Sequence, residues 1–225
     1  MGSTSPLSPS SKPLTIYFGY GSNLWLHQMQ LRCPTSTYLG LARLDGYKWI
    51  INDRGYANIV ETKDEENEVG TAAEDDYSNC VFGMVYSLQE RDEERLDKNE
   101  GVPYCYTKED LECKFWPSHP KVKDGWVDVS QPAKRERKML VYIDRQRVEV
   151  DRPKKEYILR MNMGIKDAVK MGVPKQYVEG VMRRFIPEME GEVGENKGKG
   201  EGKGNRCSVE VLAMKQAGSF EDEKE

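Results

Sequence analysis

Histidine is nearly absent from this chain: His27 and His119 are the two in 225 residues. The five cysteines, Cys33, Cys80, Cys105, Cys113 and Cys207, are odd in number and form no CxxC pair. No spacing among them matches a zinc site, and a disulfide framework is not expected. Free thiols, mostly buried, are the natural reading, in a reduced and therefore cytoplasmic setting. Long apolar runs are missing too. Stretches such as TIYF and KWII are far too short to cross a bilayer, so a soluble protein without membrane contact is expected. The N-terminal MGSTSPLSPSSKP has no apolar h-region, and Pro6 stands where a myristoylation pattern wants serine. A formal net charge of -4 offers no general attraction to nucleic acid. The run Lys134-Arg135-Glu136-Arg137-Lys138 is basic but local, and reads as a solvated loop.

What is present is a core diluted by polar insertions. The hydrophobic fraction is 37% and the charged fraction 32%, which suits one globular domain with solvated loops and a polar tail. Residues 1–13 are Ser/Pro-rich and read as disordered. Residues 14–20 are rich in β-branched and aromatic side chains and read as a strand; a short helix follows and ends at Cys33-Pro34. Residues 36–52 alternate well enough for two strands around Asp45-Gly46, a hairpin signal. Another turn and strand follow at 54–60, and an acidic stretch without periodicity, 61–79, reads as an insertion loop.

Residues 81–86 form a buried strand, and Ser87-x-x-Glu90 reads as a capping box opening a helix that ends near Gly101. Extended stretches begin at 102–116 and 139–143, separated by a polar loop at 117–138. Ile158, Met161, Ile165, Ala168 and Val169 share one helix face. Gly172 closes that helix and Pro174 opens another, with an apolar face of Tyr177, Val178, Val181, Met182 and Phe185. From residue 188 the Gly/Lys/Glu-rich chain reads as a flexible tail. About six strands and about four helices, not strictly alternating, predict an α+β domain over 14–187 with a mixed sheet.

Two places carry candidate chemistry. The first is the turn Gly19-Tyr20-Gly21-Ser22-Asn23, where a strand meets a helix start. Gly21 lets a ligand approach the backbone, Ser22 or Asn23 can cap the helix, and the first N–H groups favour an anion. It is neither a Walker loop nor a GxGxxG fingerprint, and by itself it reads equally as a tight, well-capped turn. The second is Glu100, at the end of a helix just before Gly101. The negative end of the helix dipole raises a carboxyl pKa there, and burial raises it further, which suits proton shuttling near neutral pH. Taken alone, a glutamate near a helix end is more often surface decoration.

Together the two features resemble the signature motifs of the gamma-glutamylcyclotransferase family: YFGYGSNL at 17–24 and LDKNEGV at 96–102. ARLDGYKW at 42–49, Val141-Tyr142-Ile143, Tyr157-Ile158, the stretch 163–166, Gly172-Val173-Pro174 and Tyr177 continue the match over most of 14–187. The resemblance implies a barrel-like mixed sheet surrounded by helices. It implies conversion of gamma-glutamyl amino acids or dipeptides to 5-oxoproline and the free amino acid, without metal, nucleotide or other cofactor. It makes Glu100 the catalytic general base and acid. It assigns substrate binding to Tyr17, Phe18, Gly19, Tyr20, Gly21 and Ser22, with Asn23 beside them, and to Tyr142. A further tyrosine is carried over to Tyr106 rather than Tyr104. The implied partner is a small gamma-glutamyl substrate, with the chain a monomer or homodimer. The alternatives are a relative acting on gamma-glutamyl amines and a non-catalytic metabolite-binding module; the insertions at 61–79 and 117–138 depart from a compact family pattern and would rim the leaving-group pocket.

Overall fold

The computed structural model describes residues 14–62, 77–189 and 217. Residues 1–13, most of the acidic insertion and nearly all of the tail, for which disorder, a loop and flexibility are expected, lie outside the described residues. Among the described residues seven strands and four α-helices are seen, against about six strands and about four helices expected. Five strands close into a barrel in the order β1-β5-β2-β6-β7: β1 (Thr15–Gly19), β2 (Thr37–Asp45), β5 (Cys80–Leu88), β6 (Thr107–Pro117) and β7 (Arg135–Ile143). All pair antiparallel except β7 with β1, which close the ring in parallel at Tyr17↔Leu140. The sheet is therefore mixed, as expected. Every residue of β5 is buried, because this strand lies between β1 and β2 and is covered on both faces. Its near-continuous apolar run is the sequence mark of that position.

The remaining strands, β3 (Tyr47–Ile51) and β4 (Ala57–Glu61), form a separate two-stranded sheet. This corrects the hairpin expected at Asp45-Gly46. The chain does turn there, with Gly46 at φ 77°. However, both edges of β2 are already taken, by β5 and by β6. With no edge to join, β3 leaves the barrel and pairs with β4.

Two other local readings are corrected by pairing. Ser87 does not cap a helix: it lies in β5, opposite Thr37 and Ile16. The helix α2 (Glu90–Asn99) starts after Gln89, with Glu90, Asp92 and Glu93 in its first turn, where the dipole favours acidic groups. The basic run at 134–138 is mostly strand, because Arg135, Glu136, Arg137 and Lys138 extend β7 along β6 while staying on the surface.

The C-terminal elements follow the sequence closely. Helix α3 (Lys155–Met171) buries Met161, Ile165 and Ala168, and ends at a left-handed Gly172. Helix α4 (Lys175–Gly180) opens after Pro174 and buries Tyr177 and Val178. The loop between β6 and β7 docks beside the end of α3: Val127 is buried and its N–H donates to the Met171 carbonyl at 2.9 Å. Among the described residues no helix is long and apolar enough to cross a membrane.

Candidate active site

Strand β1 delivers the glycine turn. Beyond Gly19 the chain makes one tight turn over Ser22–Leu24, and helix α1 (Leu26–Arg32) follows. Neither Ser22 nor Asn23 caps α1. The cap comes from α3, where Asp167 Oδ2 accepts from the Leu26 N–H at 2.9 Å. Burial raises the Asp167 carboxyl, and that hydrogen bond opposes the shift. The two expected capping side chains are drawn inward instead. Ser22 Oγ accepts from Gln28 Nε2 at 2.9 Å and from Arg160 Nη1 at 3.1 Å. Asn23 Oδ1 accepts from Gln28 Nε2 at 2.8 Å. The β3–β4 sheet pads the turn from another side, with Trp49 Nε1 donating to the Tyr20 carbonyl at 3.0 Å.

Helix α2 delivers Glu100. Past Asn99 the helix closes with Gly101 N–H on Lys98 O and Val102 N–H on Asp97 O, the paired bonds of a Schellman stop. This stop requires the left-handed backbone of Gly101, φ 63°. Glu100 is the C-cap itself and is 8% exposed. The expected position at the carbonyl end of the helix is therefore observed, and its side chain turns toward the β1 turn. Asn23 Nδ2 donates to Glu100 Oε1 at 3.3 Å and to the Tyr17 hydroxyl at 2.9 Å. Burial, and after it the Glu100 charge, push the Tyr17 phenol well above its ordinary range.

One cavity gathers Tyr17, Tyr20, Gly21, Ser22, Asn23, Glu100, Tyr106 and Tyr142. Phe18 and Gly19 do not line it; Phe18 alternates away from Tyr17 along the strand and is fully buried in the core. Tyr106 is at the cavity, whereas Tyr104 is 83% exposed. The loop at 118–134 does not rim it. That loop docks at Met171, 14 residues along α3 from the cavity residue Tyr157, a span of about 21 Å at roughly 1.5 Å per residue.

The tyrosine hydroxyls are mostly committed. Tyr20 donates to the Tyr142 carbonyl at 2.6 Å, Tyr106 to the Ala57 carbonyl at 3.0 Å, and Tyr142 to Asp97 Oδ1 at 2.7 Å. Burial, then the bond to Asp97, push the Tyr142 phenol far up. With its proton given to Asp97, the Tyr142 oxygen faces a ligand as an acceptor. No lysine or arginine is among the lining residues. Among the described residues no group of three or more His, Cys, Asp or Glu could hold a metal ion.

Four residues of this arrangement received no role from the sequence: Gln28, Ala57, Tyr157 and Arg160. Tyr157 and Ala57 line the cavity. Arg160 is fully buried and joins Ser22 to Gln28 Oε1, the latter at 3.3 Å. One signal was available: Tyr157, Arg160 and Gly164 fall at i, i+3 and i+7 on a single stripe of α3. An arginine on that stripe, beside a glycine packed against Leu24, marks an inward-facing cation.

Residues 17–147, more than half of the chain, match the family model described as Gamma-glutamyl cyclotransferase, AIG2-like. A gamma-glutamylcyclotransferase of Bos taurus is 31% identical over 97 residues, 39% of this chain and 44% of the bovine protein. The matched stretch thus spans less than half of that relative's length. Among solved structures, a gamma-glutamyl cyclotransferase is similar with a TM-score of 0.58 at 20% identity, covering 90% of this chain and 99% of that one. An uncharacterised protein of Homo sapiens gives 0.57 at 20% identity, over 89% of this chain and 98% of that one. YkqA of Bacillus subtilis gives 0.53 at 16%, over 80% and 57%. At these identities the structures speak for the barrel alone, and the family match over residues 17–147 speaks for descent. The chain belongs to the gamma-glutamyl cyclotransferase, AIG2-like family.

Proposed function

We propose that the chain is a gamma-glutamylcyclotransferase that converts a gamma-glutamyl amino acid or dipeptide to 5-oxoproline and the free amino acid. One observation carries the reading: a nearly buried carboxyl group, Glu100, is held by Asn23 against the glycine turn in a tyrosine-walled cavity lined by no cationic side chain. A site that only bound a carboxylate would gain nothing from a second negative group. A site that must move a proton needs one.

The reaction is an internal ring closure. The substrate's α-amine attacks its own γ-carbonyl, a C–N bond forms, and the amide bond to the leaving amine breaks. Both reacting groups belong to one molecule, so the cavity has to select the bent conformer and manage protons. Glu100 takes the proton from the attacking amine and returns it to the leaving nitrogen, a role worth roughly 10²–10⁴ in rate. Tyr142, held as an acceptor by Asp97, suits the incoming ammonium or amine. The turn around Gly21 suits an anionic oxygen of the substrate. Four described cysteines are free, and we place this activity in the reducing cytoplasm, where they stay so.

Incubation with gamma-glutamyl-alanine and no added cofactor, followed by assay of 5-oxoproline, tests the proposal. Product supports it. Calorimetric binding without product would favour a binding module, and product from gamma-glutamyl amines but not from gamma-glutamyl amino acids would favour the amine-specific relative.

A further inference from the structure

The basic run at 134–138 takes no part in the cavity that holds Glu100, yet two of its arginines line another. A cleft of about 570 Å³ opens where β2 begins, β6 ends and β7 begins, with Tyr38, His119, Arg135 and Arg137 in its walls. It shares no lining residue with the cavity of Glu100. Along β7, Arg137 stands five residues before Tyr142, a separation of about 17 Å at roughly 3.3 Å per residue.

Local geometry makes the cleft. A bulge between Tyr38 and Gly40 shifts the register of β2 against β5, and such a kink re-aims the side chain beside it. Past Pro117 the chain leaves β6, tied back by the Ser118 N–H on the Leu39 carbonyl at 2.8 Å. The loop then meets Tyr38 at Gly125, where the left-handed backbone, φ 76°, goes with a close approach: a Cβ would stand 3.3 Å from the Tyr38 ring.

Register puts both arginines on one face. Arg135 lies opposite Phe115 and Arg137 opposite Cys113, and directly opposed residues share a face of the sheet. Phe115 and Cys113 are buried, so this is the face that packs inward, and the two arginines sit at its open end, about 7 Å apart along the strand. The Arg135 guanidinium lies 5.3 Å from the Phe115 ring centroid. Among the described residues neither arginine pairs with a carboxylate, and no Asp or Glu lines the cleft. By contrast, Arg43 and Lys114 both pair with Asp45, and Lys108 pairs with Glu93 and Asp97. Two like charges held this close repel, and the cleft focuses their field on a ligand of opposite sign.

The neighbouring polar groups are donors as well. The Lys121 N–H donates to His119 Nδ1 at 3.2 Å, which leaves the ring proton on Nε2. The Ser118 hydroxyl and the buried Tyr38 hydroxyl have no hydrogen-bond partner among the described residues. Burial pushes the Tyr38 phenol up, so it keeps its proton. Half-buried Leu39 and exposed Val122 add apolar wall.

We propose that this cleft is a second ligand site and takes a small organic phosphate, its phosphate held by Arg135 and Arg137 and its organic part against Leu39 and Val122. A phosphate monoester carries nearly two negative charges and three acceptor oxygens, which suits two guanidinium forks better than a carboxylate does. The volume falls within the roughly 300–1,000 Å³ of small-molecule pockets. The proposal stands apart from the cyclotransferase reading and from Glu100.

Isothermal titration calorimetry of the full chain with phenyl phosphate, at fixed ionic strength, tests this. One saturable site is expected, and Arg135→Gln and Arg137→Gln should each weaken it about 10–100-fold, the usual loss for a hydrogen bond to a charged group. Neither arginine holds a carboxylate in the protein, so both variants should melt as wild type does. Lys138→Gln, one residue along and on the other face of β7, and Glu100→Gln should leave binding unchanged. Absence of saturable binding, or binding that survives both arginine changes, would overturn the proposal. Binding lost in Glu100→Gln would overturn it too, by moving the phosphate to the other cavity. Benzoate should bind more weakly for want of charge, and inorganic phosphate for want of an apolar part. Benzoate as tight as phenyl phosphate would overturn the phosphate assignment, and inorganic phosphate as tight would overturn the organic one.

Discussion

Asn23 Nδ2 donates to Glu100 Oε1 at 3.3 Å and to the Tyr17 hydroxyl at 2.9 Å, so a single side-chain amide ties the end of α2 to the end of β1. The two motifs that stand 77 positions apart in the chain meet at this amide. Gln28, donating to Asn23 Oδ1, fixes which way the amide faces.

Asn23→Ala should leave the barrel folded and lower kcat/KM by about 10², the usual penalty for letting a catalytic group drift. Asn23→Asp should be worse, because it sets a second carboxylate against Glu100. Steady-state turnover read beside thermal melting checks this; an Asn23→Asp variant as active as wild type would show that the amide does not orient Glu100.

Arg160 is a fully buried cation whose guanidinium meets Ser22, Gln28 and Glu156. Arg160→Met should cost about 3 kcal/mol in urea unfolding, since it strips polar partners of their donor inside the protein. Arg160→Lys should recover little of that loss, because an ammonium cannot reproduce the planar fork. Full recovery by lysine would mean that charge alone matters at this position.

The thiols should sort by burial. Burial, with Asp92 adding to it, pushes Cys33 up to about 12, and burial with Asp45 does the same for Cys113. Thiolate is the reactive form, so iodoacetamide near neutral pH should leave both unmodified until the protein unfolds. Half-buried Cys105 should react first among the described cysteines. Peptide mass spectrometry after native and urea-treated labelling reads the order directly.

Glu93 should give stability a measurable acid limb. Burial alone would raise its carboxyl, but hydrogen bonds from Lys108 and Thr15 outweigh burial and hold it below the ordinary glutamate value. A carboxyl depressed in the folded state contributes stability that is present above its unfolded value and is lost as pH falls through the folded one. The stability difference between wild type and Glu93→Gln should therefore be constant at neutral pH and shrink as pH drops below the usual carboxylate range. A difference that grows on acidification would contradict the sign.

Most of what the sequence showed was local. The strand-to-turn punctuation at Gly21, the helix stop at Gly101 and the apolar stripes of α3 and α4 were legible because neighbours in the chain decide them. What was not legible depended on partners far away. Ser87 reads as a cap until β5 claims it, and Asp45-Gly46 reads as a hairpin until β2 is seen with both edges occupied. The site divides in the same way. Glu100 and the turn lie in compact motifs, whereas Ala57 and Tyr157 reach the cavity, and Arg160 reaches the Ser22 side chain, from β4 and α3 by tertiary packing. Arginine on a helix is ordinarily exposed, so the stripe that Arg160 shares with Tyr157 and Gly164 is the one mark in the sequence that it lies beneath the turn.

The central claim is that Glu100 carries the protons of an internal ring closure. The most direct measurement is 5-oxoproline formed from gamma-glutamyl-alanine by the wild-type chain and by Glu100→Gln, an isosteric change that keeps the Asn23 contact within reach. The account predicts product from wild type and a loss of about 10²–10⁴ in the variant, with unchanged thermal melting. Product from Glu100→Gln at near the wild-type rate would contradict it.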